Sequence, residues 1–167
     1  MNINNSRMKK RIITKIGDVF EVQLGSYKKY FQYIANDMTQ LNSSVIRVFA
    51  EEYPIDYPPI LEDITSGKVD FYAHTVLRSG IQSNLWYKIG KINFDEEVNI
   101  LFRDCDEDKY VPVSKRWRVW NINQPMKFIE KLRGKNRDAE IGIVFQPERI
   151  INRMRTGSYQ IKYPDFE

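Results

Sequence analysis

Hydrophobic and polar positions alternate with a period of two through much of this chain, and that period predicts strands. In Asp18-Val19-Phe20-Glu21-Val22-Gln23-Leu24, one face collects Phe20, Val22 and Leu24 while Glu21 and Gln23 take the other. This is the pattern of a strand with one buried side. Gly25-Ser26 turns the chain, Tyr30-Phe31-Gln32-Tyr33-Ile34 resumes as an aromatic strand, and Asn42-Ser43 breaks it before Val45-Ile46-Arg47-Val48-Phe49. Three alternating segments with short connections predict a β-meander.

Proline then interrupts. Tyr53-Pro54-Ile55-Asp56-Tyr57-Pro58-Pro59 is excluded from a central strand, because proline lacks the amide donor and fixes φ. Pro59 suits a first helical turn and Gly67 a C-terminal cap, which predicts a short helix over 60–66. Residues 69–77 return to strand, a turn is expected at Ser79-Gly80, and Leu85-Trp86-Tyr87-Lys88-Ile89-Gly90 follows as another strand. Further strands are predicted over 98–103 and 117–122, separated by an acidic, solvated loop at 104–108.

The tail changes character. Asn123 as N-cap and Pro125 just inside it predict a helix carrying Met126, Ile129 and Leu132 on one face. Ile141, Ile143 and Phe145 read as a strand, Pro147 opens a helix over 148–155 that Gly157 stops, and Tyr159, Ile161 and Tyr163 read as a last strand. No repeat or long linker divides the chain. The expected organisation is a loose leader at 1–11 and one β-rich domain at 12–167. Its fold class is mainly β with an α+β tail: a bent antiparallel sheet or a partly open SH3-like barrel, with short C-terminal helices.

Composition agrees with strands, since aromatic residues make up 13 % of the chain and fit a pleated, half-buried surface. No apolar run nears the ~20 residues that cross a bilayer, so no membrane association is expected. Neither is an apolar secretory segment visible at the start. With a lone cysteine, Cys105, no internal disulfide framework is possible, and the expected compartment is the cytoplasm. Carboxylates flank Cys105 and disfavour its thiolate, which makes it a poor nucleophile.

Catalytic templates fail on inventory. His74 is the single histidine, so HxH and HExxH metal pairs cannot form. Neither GxGxxG nor GxxxxGK[ST] nor a Gly-x-Ser-x-Gly elbow is present. Asp104-x-Asp106-x-Asp108 has the opening spacing of a calcium loop but lacks its glycine and distal glutamate. No metal and no cofactor are therefore expected. His74 reads either as a contact in a partner site or as a core-edge imidazole bonded to a backbone carbonyl.

Charge adds one alternative. The formal net charge of +4 divides into −3 over residues 1–108 and +7 over residues 109–167. In the basic part Lys115, Arg116 and Arg118 interleave with Trp117 and Trp120, and Arg149, Arg153 and Arg155 stud the last predicted helix. Cations beside aromatics suit single-stranded nucleic acid. Plain alternation, with Trp inward and Arg outward, produces the same pattern.

Taken in order, residues 15–24, 30–34 and 45–49 resemble the opening of the immunity protein 26 family. Ala73-His74-Thr75-Val76 and residues 85–90 look like its middle, and Trp117-Arg118-Val119-Trp120 like its closing strand. The resemblance spans residues 12–122. It implies a bacterial immunity protein, not an enzyme, that binds and neutralises a cognate polymorphic toxin. Some relatives carry a phosphotriesterase label, for which this chain lacks a His-rich metal site. Interface anchors are enriched in Tyr, Trp and Arg, so the candidate partner-binding residues are Tyr53, Tyr57, His74, Trp86, Tyr87 and Arg118. Core or barrel-end packing is the other reading of Tyr53, Tyr57, Trp86, Tyr87 and Arg118, and the favoured one for Trp86 and for Trp120. The proline-stiffened loop at 53–57 is the favoured contact.

Overall fold

A computed structural model describes residues 11–166. The leader expected at 1–11 lies outside the described residues except for Arg11. The predicted meander forms as β1 (Asp18–Gln23), β2 (Tyr27–Asp37) and β3 (Ser43–Phe49), each antiparallel to the next. A short strand β4 (Tyr53–Pro54) adds to the edge of β2. Helix α1 (Leu61–Thr65) falls within the predicted helix, and β5 (Val69–Thr75) pairs β3.

Where a turn is expected at Ser79-Gly80, the chain instead forms α2 (Leu77–Gln82). Gly80 is not there for a turn. A Cβ on it would sit 2.0 Å from Trp86 Cε2, so glycine lets this helix press directly onto the indole. Strand β6 (Tyr87–Lys91) then pairs β1.

A second sheet follows, built on β7 (Leu101–Cys105), β8 (Trp117–Asn121) and β9 (Lys127–Ile129). The helix predicted around Met126 to Leu132 is thus a hairpin strand. Asn123 adopts φ 63° and Gln124 N–H donates to Asn121 O at 2.9 Å. That is a tight turn with a left-handed asparagine, incompatible with the extended backbone of an N-cap. Asp104 also departs from the expected solvated loop, because it lies in β7 opposite Arg118 of β8.

After a 3₁₀ turn (Gly134–Asp138), the strand expected at 141–145 splits in two. β10 (Glu140–Ile141) runs parallel to β7, and β11 (Val144–Phe145) runs parallel to β5. Helix α3 (Pro147–Thr156) matches its sequence signature, with proline in the first turn and Gly157 at φ 81° as C-cap. Residues 159–163 form no strand; Tyr159 instead stacks on Phe145 with ring centroids 3.7 Å apart.

The fold class is mainly β with helices, as expected, but the sheets are mixed and no barrel closes among the described residues. The larger sheet runs β11-β5-β3-β2-β1-β6 and the smaller β10-β7-β8-β9. Both faces of the larger sheet are covered. Phe31, Val48, Phe71 and Trp86 pack beneath α2 and α3. Tyr30, Phe49 and Ile64 pack on the α1 side. Ile34, Val45, Phe102 and Trp120 fill the junction with the smaller sheet. No helix among the described residues is long and apolar enough to cross a membrane.

Candidate functional site

The connection between β2 and β3 is held by a network of hydrogen bonds. Asp37, the last residue of β2, is wholly buried. Its Oδ2 accepts hydrogen bonds from His74 Nε2 and from Trp120 Nε1, each at 2.9 Å. Its Oδ1 accepts the backbone N–H groups of Asn123 at 3.0 Å and Thr39 at 3.1 Å. Burial alone would raise the Asp37 pKa. The donors from His74, Trp120 and Asn123 outweigh it and hold the carboxyl down at about 2. An ionised carboxylate only accepts, so His74 Nε2 carries the proton. The other ring nitrogen, Nδ1, is buried without a partner among the described residues. The ring packs at 4.2 Å between centroids against Phe102.

This network fixes the base of the loop at 38–42, and other bonds fix its flanks. Met38 N–H donates to Asn123 Oδ1 at 2.8 Å, and Thr39 Oγ1 to Gln124 O at 2.8 Å. The Gln40 side-chain amide donates to Gly142 O. Ser43 closes the turn on Gln40 O through its N–H at 3.0 Å and its hydroxyl at 2.6 Å.

At the tip, Leu41 and Asn42 take φ values of 56° and 50°. Asparagine tolerates the left-handed region, but for leucine it costs roughly 1–2 kcal/mol. Leu41 is nevertheless 86 % exposed, and Met38 beside it 69 %. Among the described residues Leu41 belongs to none of the hydrophobic clusters that build the core. Such strain concentrates at functional positions.

Of the six sequence candidates only His74 belongs to this network, and three of the six are interior. Trp86 is fully buried, donates to Leu77 O at 3.0 Å and meets Phe31 edge-on at 5.0 Å. It is a core residue and presents no contact surface, which corrects its placement among the partner-binding residues. His74 is fully buried too, and its partner is a carboxylate where the core reading expected a backbone carbonyl. Tyr53 is 8 % exposed because its ring packs edge-on against Tyr30 at 5.2 Å, while Tyr57 is half-buried against Tyr53 at 4.4 Å. Burial and the neighbouring Glu51 push the Tyr53 phenol up to about 12.

Arg118 is half-buried in an ion pair with Asp104 at 3.0 Å, and burial raises the Asp104 pKa despite that arginine. Tyr87 remains exposed on β6. Of the six, only Tyr53 and Tyr57 are in ring contact with each other among the described residues.

Asp37, Met38 and Leu41 escaped the sequence reading. Asp37 gave no signal, since its partners lie far off in the chain. Leu41-Asn42 before a polar Ser-Ser pair looks like an ordinary break. Compared with protein-family models, with curated proteins and with solved structures, the chain has no match. Among the described residues, no three His, Cys, Asp or Glu side chains group as a metal-ligand set. Trp117 and Trp120 are buried, so neither offers an exposed ring on which a base could stack.

Proposed function

We propose that this chain is an immunity-type binding protein that neutralises a cognate bacterial toxin by direct contact, with the 38–42 turn inserting into an apolar pocket of that partner. The observation carrying this reading is the exposure of Leu41 and Met38 on a turn clamped from beneath. A preformed contact element loses little conformational freedom on binding. Sealing His74 inside the protein favours a binder over a hydrolase that would use this imidazole. On this reading the chain acts in the producer's cytoplasm. Nucleic-acid binding by the basic part of the chain is the weaker reading, since its tryptophans are interior.

Co-expression with the toxin encoded beside this protein tests the proposal. Growth rescue and co-elution of a complex are expected, with both lost in Leu41→Asp while the fold is retained. Absence of both rescue and complex with the unaltered chain would overturn it.

A further inference from the structure

Away from the turn, a polar cleft of about 380 Å³ opens where β7, β10 and α3 meet, within the size range of small-ligand sites. Three guanidiniums line it, those of Arg103, Arg137 and Arg153, against the carboxylates of Asp138 and Glu140. Glu140 is already spoken for. Its Oε2 accepts Arg153 Nη1 at 2.9 Å, and Arg153 also donates to the Tyr159 hydroxyl at 3.0 Å. The Arg153 guanidinium is fixed over the Phe71 ring at 4.1 Å and the Tyr159 ring at 4.8 Å. It is a settled ion pair in a rigid wall.

Arg103 differs. It is half-buried on β7, and among the described residues it has no ion pair with a carboxylate. One Nη1 hydrogen bond to the Arg137 carbonyl and the Phe166 ring at 5.5 Å hold it in place. Its Nε is buried and unpartnered among the described residues. A partly desolvated guanidinium without a counter-anion is an unfavourable arrangement unless an anion completes it. The Tyr159 hydroxyl accepts from Arg153, and its own proton has no acceptor among the described residues. Ser158 adds a second hydroxyl to the lining.

We propose that this cleft binds the phosphate of a small phosphomonoester, with Arg103 as charged anchor and the hydroxyls of Tyr159 and Ser158 as neutral donors. A tetrahedral phosphate offers acceptors to a guanidinium fork and to two hydroxyls at once, which a planar carboxylate does less well. The site is independent of the partner-binding turn.

The test is titration of the intact chain at low ionic strength with inorganic phosphate, a nucleoside monophosphate and acetate, followed by amide NMR shifts and calorimetry. Saturable binding of both phosphates and little of acetate is expected, with the largest shifts at residues 103 and 157–160. Arg103→Gln should weaken binding about tenfold or more, the loss of a charged hydrogen bond. Arg103→Lys, which keeps the charge and loses the fork, should weaken it several-fold and serves if the glutamine variant does not fold. Arg116→Gln, at an exposed ion pair with Asp106, should leave binding unchanged. No saturable binding, equal binding of acetate, or equal weakening by Arg116→Gln would each overturn the assignment.

Discussion

Asp37 and Trp120 stand 83 positions apart and in different sheets, yet the indole N–H of Trp120 donates to Asp37 Oδ2 at 2.9 Å. The same oxygen accepts the hydrogen bond of His74 Nε2, so one buried carboxylate ties β2, β5 and β8 together. Trp120→Phe keeps most of the ring volume and removes that donor. Urea denaturation is expected to show a loss of about 2 kcal/mol, the worth of a hydrogen bond to a charged group. An unchanged midpoint would show that the bond between the sheets is dispensable.

The same carboxylate sets an acid limit. Its pKa falls from 3.8 in the unfolded chain to about 2 in the folded one, so the unfolded state binds the proton more readily. The stabilisation is complete above pH 4 and is lost as pH falls towards 2, an effect of about 2 kcal/mol. Urea midpoints measured from pH 5 to pH 2 should drop through this window, and Asp37→Asn should flatten that part of the slope.

Leu41 trades stability for presentation. Asparagine accepts the left-handed region more readily and suits this turn. Leu41→Asn should therefore raise stability by roughly 0.5–1 kcal/mol, while weakening capture of the partner. Thermal denaturation checks the first effect and co-elution the second. A destabilised Leu41→Asn would mean that the leucine packs usefully after all.

Gly80 has no room for a methyl group, because a Cβ would fall 2.0 Å from Trp86 Cε2. Gly80→Ala should cost about 1–3 kcal/mol by overpacking, and the near-ultraviolet circular dichroism of the buried indole should change. Ser79→Ala, one position away, serves as the control and should shift neither.

The meander was legible because Phe20, Val22 and Leu24 obey a period that few other structures produce, and α3 because proline and glycine mark its two ends. Glycine misled at position 80, where it serves close packing and not a turn. Asparagine misled at 123, since it is suited both to capping a helix and to the left-handed residue of a hairpin. The Asp37 network could not be read at all. Trp120 signals a core and Asp37 a solvated end, and only the folding of one sheet onto the other gives them a shared position.

Residues 140–145 serve both sheets, through β10 beside β7 and β11 beside β5. A chain emerging from the ribosome thus makes its two sheets before it makes the segment that belongs to both. Until that segment arrives, the outer edge of β5 has unpaired backbone groups and invites pairing with another chain. Val144 meets His74, 70 positions earlier in the chain, a closure slow enough to leave that edge open for a time. Shielding during synthesis, more than final stability, is then the demand this topology places on the cell that makes it.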